Sequence, residues 1–261
     1  MARLDAELVT RGIARSRERA KEMIKSGAVT VNGATAKKAS DDVSADDDIK
    51  SSEQENYVGR GALKLEKAFN EFRLDFTGRI CLDIGASTGG FTEFMLNHGA
   101  EKVYAVDVGH GQLADILKAD KRVVNMENTD IREVTIDDLG GAVDFVCADV
   151  SFISLTKIIP KIHELLSRNG LASVLIKPQF EAGKKGVGKK GVVKDRKVHE
   201  RVLHETDSFF RLSGFCPLDY TFSPIKGGNG NIEYLVKLKK STENTSLYDF
   251  RKLVDEAFGS L

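Results

Sequence analysis

Apolar residues recur at helical spacing twice near the start of the chain. Leu4, Leu8 and Ile13 mark one stripe and Ala20, Met23 and Ile24 a second, which predicts short helices over residues 3–12 and 16–26. Ser16 can cap the second helix and Gly27 can end it. The period then shortens to two: Ala-Val-Thr-Val-Asn-Gly-Ala-Thr-Ala over residues 28–36 predicts two strands turning at Asn32-Gly33. Helix, helix and hairpin make a small α+β module over residues 1–50.

Residues 51–57 (SSEQENY) are polar and suit a linker. Helical spacing resumes at Gly61 with Leu63, Leu65, Ala68, Phe69 and Phe72. From Arg79 onward strand-like and helix-like segments alternate: ICLDIG, a helix from about Gly89, KVYAVDV, a helix near 112–118, RVVNME, DFVCADV, a helix near 156–166, then LASVLIK. Such alternation predicts an α/β fold, an open and mainly parallel sheet with helices on both faces. A helix near 196–212 follows, then strands over 215–223 and 231–238, whose connection KGGNGN suits an antiparallel hairpin at the sheet edge. The large domain is expected over residues 58–240, with residues 241–261 as a helical tail whose amphipathic segment near 246–258 serves packing.

Composition adds little until it is localised. Lysine plus arginine and aspartate plus glutamate both number 39, so any polyanion-binding surface must be local. Through Lys38 there are nine basic residues against four acids, and the candidates for RNA contact are Arg3, Arg15, Arg17, Arg19, Lys21 and Lys25. A solvated helix face is the plainer reading of such a run. The first twenty residues lack the apolar core of a secretion signal, and no apolar run is long enough to span a bilayer. Cys81, Cys147 and Cys216 lie far apart in apolar settings, which fits buried reduced thiols better than disulfides or a zinc site. These features point to the cytoplasm, with no membrane, metal or obligate protein partner.

The chemistry concentrates at strand ends. Asp83-Ile84-Gly85-Ala86-Ser87-Thr88-Gly89-Gly90-Phe91-Thr92 follows an apolar strand and opens a helix, where a glycine turn lets backbone approach a ligand. Asp107 ends the next strand, placed to accept hydrogen bonds from ribose hydroxyls. The turn lacks the G-x-G-x-x-G spacing that admits a pyrophosphate, and a cationic sulfonium prefers carboxylate neighbours. The expected binders of S-adenosylmethionine are therefore Asp83, Gly85, Ser87, Gly89, Gly90, Phe91, Asp107, Asp130 and Asp149, although Asp130 and Asp149 could each merely cap a loop or helix.

Two resemblances sharpen this picture. RLDAELVTRGIARSRERAKEMIKSGAVTVNG resembles the small RNA-binding domain first described in a ribosomal small-subunit protein and found in pseudouridine synthases and tyrosyl-tRNA synthetases. YVGRGALKLEKAF, CLDIGASTGGFTEFML, YAVDVGHGQL, ADVSFISL, LIKPQFEAG and GNIEYLV resemble segments of the TlyA, or haemolysin-A-like, family, which joins that domain to an FtsJ-like ribose methyltransferase domain. Gly61-Ala62 stands where the family commonly has two glycines. The resemblance implies a catalytic tetrad of Lys64, Asp149, Lys177 and Glu233. It also implies methylation of the ribose 2'-hydroxyl of a cytidine, with ribosomal RNA or ribosomal subunits as partner. Taken alone, spacing favours Lys64 as a surface helix residue and Glu233 as an exposed strand residue.

A ribose hydroxyl is a poor nucleophile and must be aligned and relieved of its proton, for which Lys177 is the candidate base. The glycine-rich loop over residues 181–194, with Lys184, Lys185, Lys189, Lys190 and Lys194, is expected to be flexible and to meet RNA beside that base. A cytolytic protein, an RNA-binding protein with an inactive methyltransferase domain and a small-molecule methyltransferase are the competing functions. The first has no spanning helix, the second would not need all four tetrad residue types, and the third would not need the basic module.

Overall fold

The structure, a computed structural model, describes the chain except for residues 1, 15, 52–56, 184, 185, 244 and 246. Arg15, Lys184 and Lys185, expected at an RNA surface, and most of the expected linker therefore lie outside the described residues. The chain forms two compact units, Met1–Val58 and Gly59–Leu261.

In the first unit β1 (Ala2–Arg3) leads into α1 (Leu4–Thr10) and α2 (Arg17–Lys25), followed by β2 (Val29–Val31), β3 (Ala34–Thr35), β4 (Asp42–Val43) and β5 (Ile49–Ser51). The Ser16 hydroxyl accepts from the Arg19 N–H and starts α2. Asn32 and Gly33, at φ of 50° and 80°, make the turn between β2 and β3, the left-handed pair that matches hairpin twist. The sequence did not foresee β5, which pairs antiparallel with the other edge of β2, nor the short ladder between β1 and β4. Leu4, Leu8, Ala20, Met23, Ile24, Val29, Val43 and Ile49 form its core.

The second unit opens with α3 (Ala62–Phe72) and then alternates β6 (Ile80–Ile84), α4 (Gly90–Asn97), β7 (Lys102–Val106), α5 (Asp115–Lys118), β8 (Val123–Met126), β9 (Val143–Ala148), α6 (Ile159–Leu165), β10 (Leu166–Ile176), α7 (Pro178–Glu181) and α8 (Arg196–Leu212). β11 (Phe215–Phe222), β12 (Tyr234–Lys240) and α9 (Phe250–Ser260) complete it. The seven strands lie in the order β11-β12-β10-β9-β6-β7-β8. The run from β10 to β8 is parallel, while β12 pairs antiparallel with both β10 and β11, so the hairpin closes one edge of the sheet. β6, β7 and β9 are buried almost throughout, as a sheet covered on both faces requires.

Several boundaries depart from the sequence pattern for local reasons. The helix expected over 112–118 is only Asp115–Lys118, because Ala114 is extended at φ −61° and ψ 139°, and the N–H groups of Gln112 and Leu113 ahead of it are held by the Glu127 carboxylate. A 3-10 turn at Leu155–Lys157 precedes α6, with Pro160 in the first turn of the α-helix. α9 serves packing as expected: Phe250, Leu253, Val254 and Ala257 are buried in the main core beside residues of α8 and β11. In α3, Leu63 is 37 % exposed whereas Lys64 shares the buried face with Ala68 and Phe72, at intervals of four residues.

Candidate active site

Parallel pairing aligns the carboxyl ends of four strands, and the site is assembled there. Ile84 is level with Val106 and with Ala148, so Gly85, Asp107 and Asp149 leave neighbouring strands at one height. The Asp149 N–H donates to the Ile84 carbonyl at 3.0 Å, locking the two ends together. A Cβ at Gly85, where φ is +82°, would come within 2.6 Å of the Asp149 carbonyl oxygen, so this close approach requires glycine. On the other side Ile176 pairs with Tyr234, which sets Lys177 at the end of β10 next to Glu233 at the start of β12.

The four expected catalytic residues meet. Lys64 Nζ donates to Asp149 Oδ2 at 2.9 Å and to Glu233 Oε2 at 2.7 Å, and Lys177 Nζ lies 2.6 Å from Asp149 Oδ1. Lys64 and Lys177 are each 7 % exposed and Glu233 is 2 % exposed, so the surface readings of Lys64 and Glu233 are overturned. Two lysines and two carboxylates balance in charge, which is what makes their joint burial tolerable. Burial opposes ionisation of Lys64, but Asp149 and Glu233 outweigh it and raise its pKa. Burial likewise opposes ionisation of Asp149, yet Lys64 and Lys177 together hold its pKa below the ordinary carboxylate value.

Sequence reasoning missed two side chains here. Lys177 also donates to Ser151 Oγ at 3.0 Å, and Gln179 Nε2 donates to Glu233 Oε1 at 3.2 Å. Ser151 lies two residues beyond Asp149 and Gln179 two beyond Lys177, so proximity to the strand ends was the available signal. Beside them Phe152 adopts a positive φ of 64° and is 92 % exposed, its ring centroid 5.3 Å from that of Phe180.

The glycine turn runs from β6 into α4. Ser87 is left-handed at φ 49° and donates its N–H to Asp107 Oδ2 at 2.8 Å, while Gly109 N–H donates to Asp107 Oδ1 at 2.7 Å. Gly89, at φ 96°, begins α4, and a Cβ at Gly90 would meet the Gly59 carbonyl oxygen at 3.0 Å. Asp107 uses one lone pair on each oxygen for these bonds and remains partly exposed, which leaves acceptor capacity for ribose hydroxyls.

Two residues expected at the cofactor stand behind the turn. Asp83 is 1 % exposed, accepting from Thr92 Oγ1 at 2.7 Å and contacted by Cys147 Sγ at 3.6 Å. Burial pushes its pKa up to about 7 despite those bonds. Phe91 is 4 % exposed within α4. Asp130 does act as a cap, accepting from the Arg132 N–H at 2.9 Å and pairing with its guanidinium, but its side chain stays partly exposed near the end of β8.

Among the basic residues of the first unit, Arg17, Lys21 and Lys25 recur every four residues along α2 and are exposed. Arg19 is turned away from them and pairs with Glu22 at 3.3 Å. Lys21 and Lys25 line a groove with Lys37, Ser26 and Gly27, of about 460 Å³. Arg3 and Arg17 both bond to the fully buried Asp5, at 3.0 Å each. In the lysine loop, Lys189 and Lys190 are exposed, but the returning limb is not free: Val193 N–H donates to Asn231 Oδ1 at 3.0 Å and Asn231 Nδ2 donates to the Gly191 carbonyl at 2.9 Å. The end of the loop is thus tied to a buried asparagine.

Comparison with known proteins identifies the family of both units. Residues 57–240 match the FtsJ-like methyltransferase family and residues 2–49 match the S4 domain. The chain is 44 % identical over 245 residues to the 16S/23S rRNA (cytidine-2'-O)-methyltransferase TlyA of Mycobacterium tuberculosis, covering 93 % of this chain and 91 % of that one. It is 43 % identical over 234 residues to Hemolysin A of Brachyspira hyodysenteriae, covering 89 % and 98 %. A solved structure of a candidate hemolysin from Streptococcus thermophilus superposes with a TM-score of 0.82 at 39 % identity, over 99 % of this chain and 96 % of the other. The chain therefore belongs to the FtsJ-like methyltransferases, in the TlyA and hemolysin A branch that carries an S4 domain ahead of the methyltransferase domain.

Proposed function

We propose that the chain transfers a methyl group from S-adenosylmethionine to the ribose 2'-hydroxyl of a cytidine in ribosomal RNA, acting in the cytoplasm on RNA or ribosomal subunits. The observation that carries this reading is the buried Lys64–Asp149–Lys177–Glu233 network, whose Asp149 ends the strand next to the Gly85 turn, with Asp107 one strand further along the sheet. The relatives' names supply the nucleotide and the substrate class. No helix among the described residues is long and apolar enough to cross a membrane.

The donor, when bound, supplies an electrophilic methyl carbon on a sulfonium. Asp107 would hold its ribose hydroxyls, the Gly85–Gly90 turn its backbone-facing side, and Asp130 would border the base. Lys177 has two of its hydrogen-bonding directions committed, to Asp149 and to Ser151, leaving the third for the acceptor hydroxyl. For proton removal Lys177 must be neutral when it acts. Lys64, doubly paired, keeps Asp149 and Glu233 compensated as that proton moves. The exposed Phe152 ring offers a face on which a base stacks, and such stacking is a general means of holding unpaired nucleotides.

The S4 domain and the exposed Lys189 and Lys190 would supply phosphate contacts through charge and shape. Transfer of labelled methyl from S-adenosylmethionine to ribosomal subunits, with the product mapped by nuclease resistance at the 2' position, tests the whole reading. Lys177→Ala is expected to reduce transfer by at least about a hundredfold while leaving donor binding in place. A base-methylated product, or near-normal single-turnover transfer by that variant, would replace this mechanism.

A further inference from the structure

Glu127 follows β8 and is not part of the tetrad, the glycine turn or any basic surface, yet its side chain is only 10 % exposed. Its Oε1 accepts two consecutive backbone N–H groups, from Gln112 at 2.5 Å and Leu113 at 3.0 Å, and its Oε2 accepts from Asn125 Nδ2 at 3.0 Å. Lys118 Nζ stands 3.8 Å away. Those N–H groups are the ones ahead of α5 that no carbonyl within a helix can satisfy, so an anionic acceptor at this point fixes the path of the chain into α5. Hydrogen bonds from Asn125 and from the Leu113 backbone, with those from Gln112 and the charge of Lys118, hold the Glu127 pKa down at about 2 against the cost of burial.

What this anchor fixes is the segment that follows Asp107 and orients its carboxylate. Asn128 N–H donates to the Gly109 carbonyl at 2.9 Å and Thr129 N–H to the Asp107 carbonyl at 3.0 Å, so three successive residues after β8 grip residues 107–113. Leu113, 3 % exposed, packs on the start of α4: a Cβ added at Gly89 would lie 2.8 Å from its Cδ1. Gln112 folds back over Gly109, its Nε2 filling the place that a Cβ on that glycine would take, and Asp107 Oδ1 is 3.1 Å from the same point. The Gly109 N–H that orients Asp107 thus belongs to a segment tied down at its far end by Glu127.

We propose that Glu127 is a positioning residue for the methyl donor, holding residues 109–113 so that Asp107 and the glycine turn present one preformed ribose-binding face. The inference rests on the assignment of Asp107 to the donor. Without the carboxylate the 109–113 segment gains freedom that the donor must remove on binding, so the penalty falls on donor affinity and not on the methyl-transfer step.

The test uses the full chain and S-adenosylhomocysteine as the calorimetric probe, with Glu127→Ala, Glu127→Gln and Asp107→Ala compared in parallel. Glu127→Ala is expected to weaken probe binding about tenfold, the size of one charge-assisted hydrogen bond, and Glu127→Gln by a smaller factor because one amide oxygen can still accept from the two N–H groups. The donor KM should rise in step, with kcat at saturating donor and the KM for ribosomal substrate each moving less than about twofold. A probe affinity unchanged in Glu127→Gln and Glu127→Ala, while Asp107→Ala weakens it, overturns the inference alone. Unchanged affinity in Asp107→Ala overturns the donor assignment itself. If Glu127→Ala fails to fold, Glu127→Gln decides. A parallel fall in kcat and thermal midpoint, with both KM values rising together, would overturn the positioning role and leave Glu127 a purely structural one.

Discussion

Lys64 and Lys177 look alike in isolation, two lysines with the same exposure, but their partners differ and so should the consequences of removing them. Lys64 is the shared counter-ion of Asp149 and Glu233. Its truncation to alanine leaves Glu233 the neutral Gln179 amide as its side-chain partner among the described residues and should cost about 3–5 kcal/mol, the range for breaking a buried ion pair from one side. Removing Lys177 leaves Asp149 still paired with Lys64, so Lys177→Ala should cost only about 1–2 kcal/mol while abolishing transfer. Denaturant unfolding of both variants beside single-turnover transfer checks the contrast. Equal stability losses would mean that the tetrad does not divide its labour this way. Gly85→Ala makes a second test at this scale: its Cβ would strike the Asp149 carbonyl from a left-handed backbone, so donor binding and transfer should fall together.

At the scale of elements, α8 is fastened to the site through one buried histidine. The His199 Nε2 lies 3.0 Å from the Val193 carbonyl and must donate to it, and in the neutral ring Nδ1 accepts from the Tyr234 hydroxyl at 2.9 Å. Burial pushes the pKa of His199 below the ordinary value. The unfolded chain therefore binds more protons than the folded one just below about pH 6.5. The stabilisation is complete above that pH and is lost as the pH falls through the lower folded value. Asp83, whose pKa is raised, contributes in the opposite direction over the same range, so the comparison with His199→Gln isolates the histidine: the midpoint of the parent chain should exceed that of His199→Gln at pH 7, and the gap should narrow between pH 7 and pH 5. This matters to the site because Tyr234 adjoins Glu233 and Val193 ends the lysine loop, the two elements that the histidine joins.

For the whole molecule the useful quantity is where charge sits, since lysine plus arginine and aspartate plus glutamate cancel at 39 each. Removal of residues 1–56 should leave a second unit that folds and binds S-adenosylhomocysteine, because Gly59–Leu261 is compact by itself. Affinity for ribosomal RNA should fall, and the slope of log affinity against log salt should drop by roughly one for each phosphate no longer neutralised. Lys189→Gln with Lys190→Gln should flatten that slope further without changing donor affinity. An identical salt slope in the truncated and full chains would show that the basic groove of α2 serves something other than RNA.

The sequence by itself determined the order of elements, the parallel sheet with its antiparallel edge, and the strand-end positions of Gly85, Asp107, Asp149 and Lys177, because burial on both sheet faces and strand-end turns leave strong local patterns. Even the burial of Lys64 had a trace there, since it repeats at four-residue intervals with Ala68 and Phe72. Local pattern could not say that a lysine would be admitted to that face. That was settled by Asp149 and Glu233, 85 and 169 residues further along the chain, whose charges offset the cost of burying it. The same limit hid Ser151, Gln179, Asn231 and Glu127, ordinary polar residues in sequence that gain their roles only from partners the fold brings within hydrogen-bonding distance. Hydrophobic period is a property of neighbours along the chain, whereas compensation of buried charge is a property of neighbours in space, and only the tertiary structure supplies those.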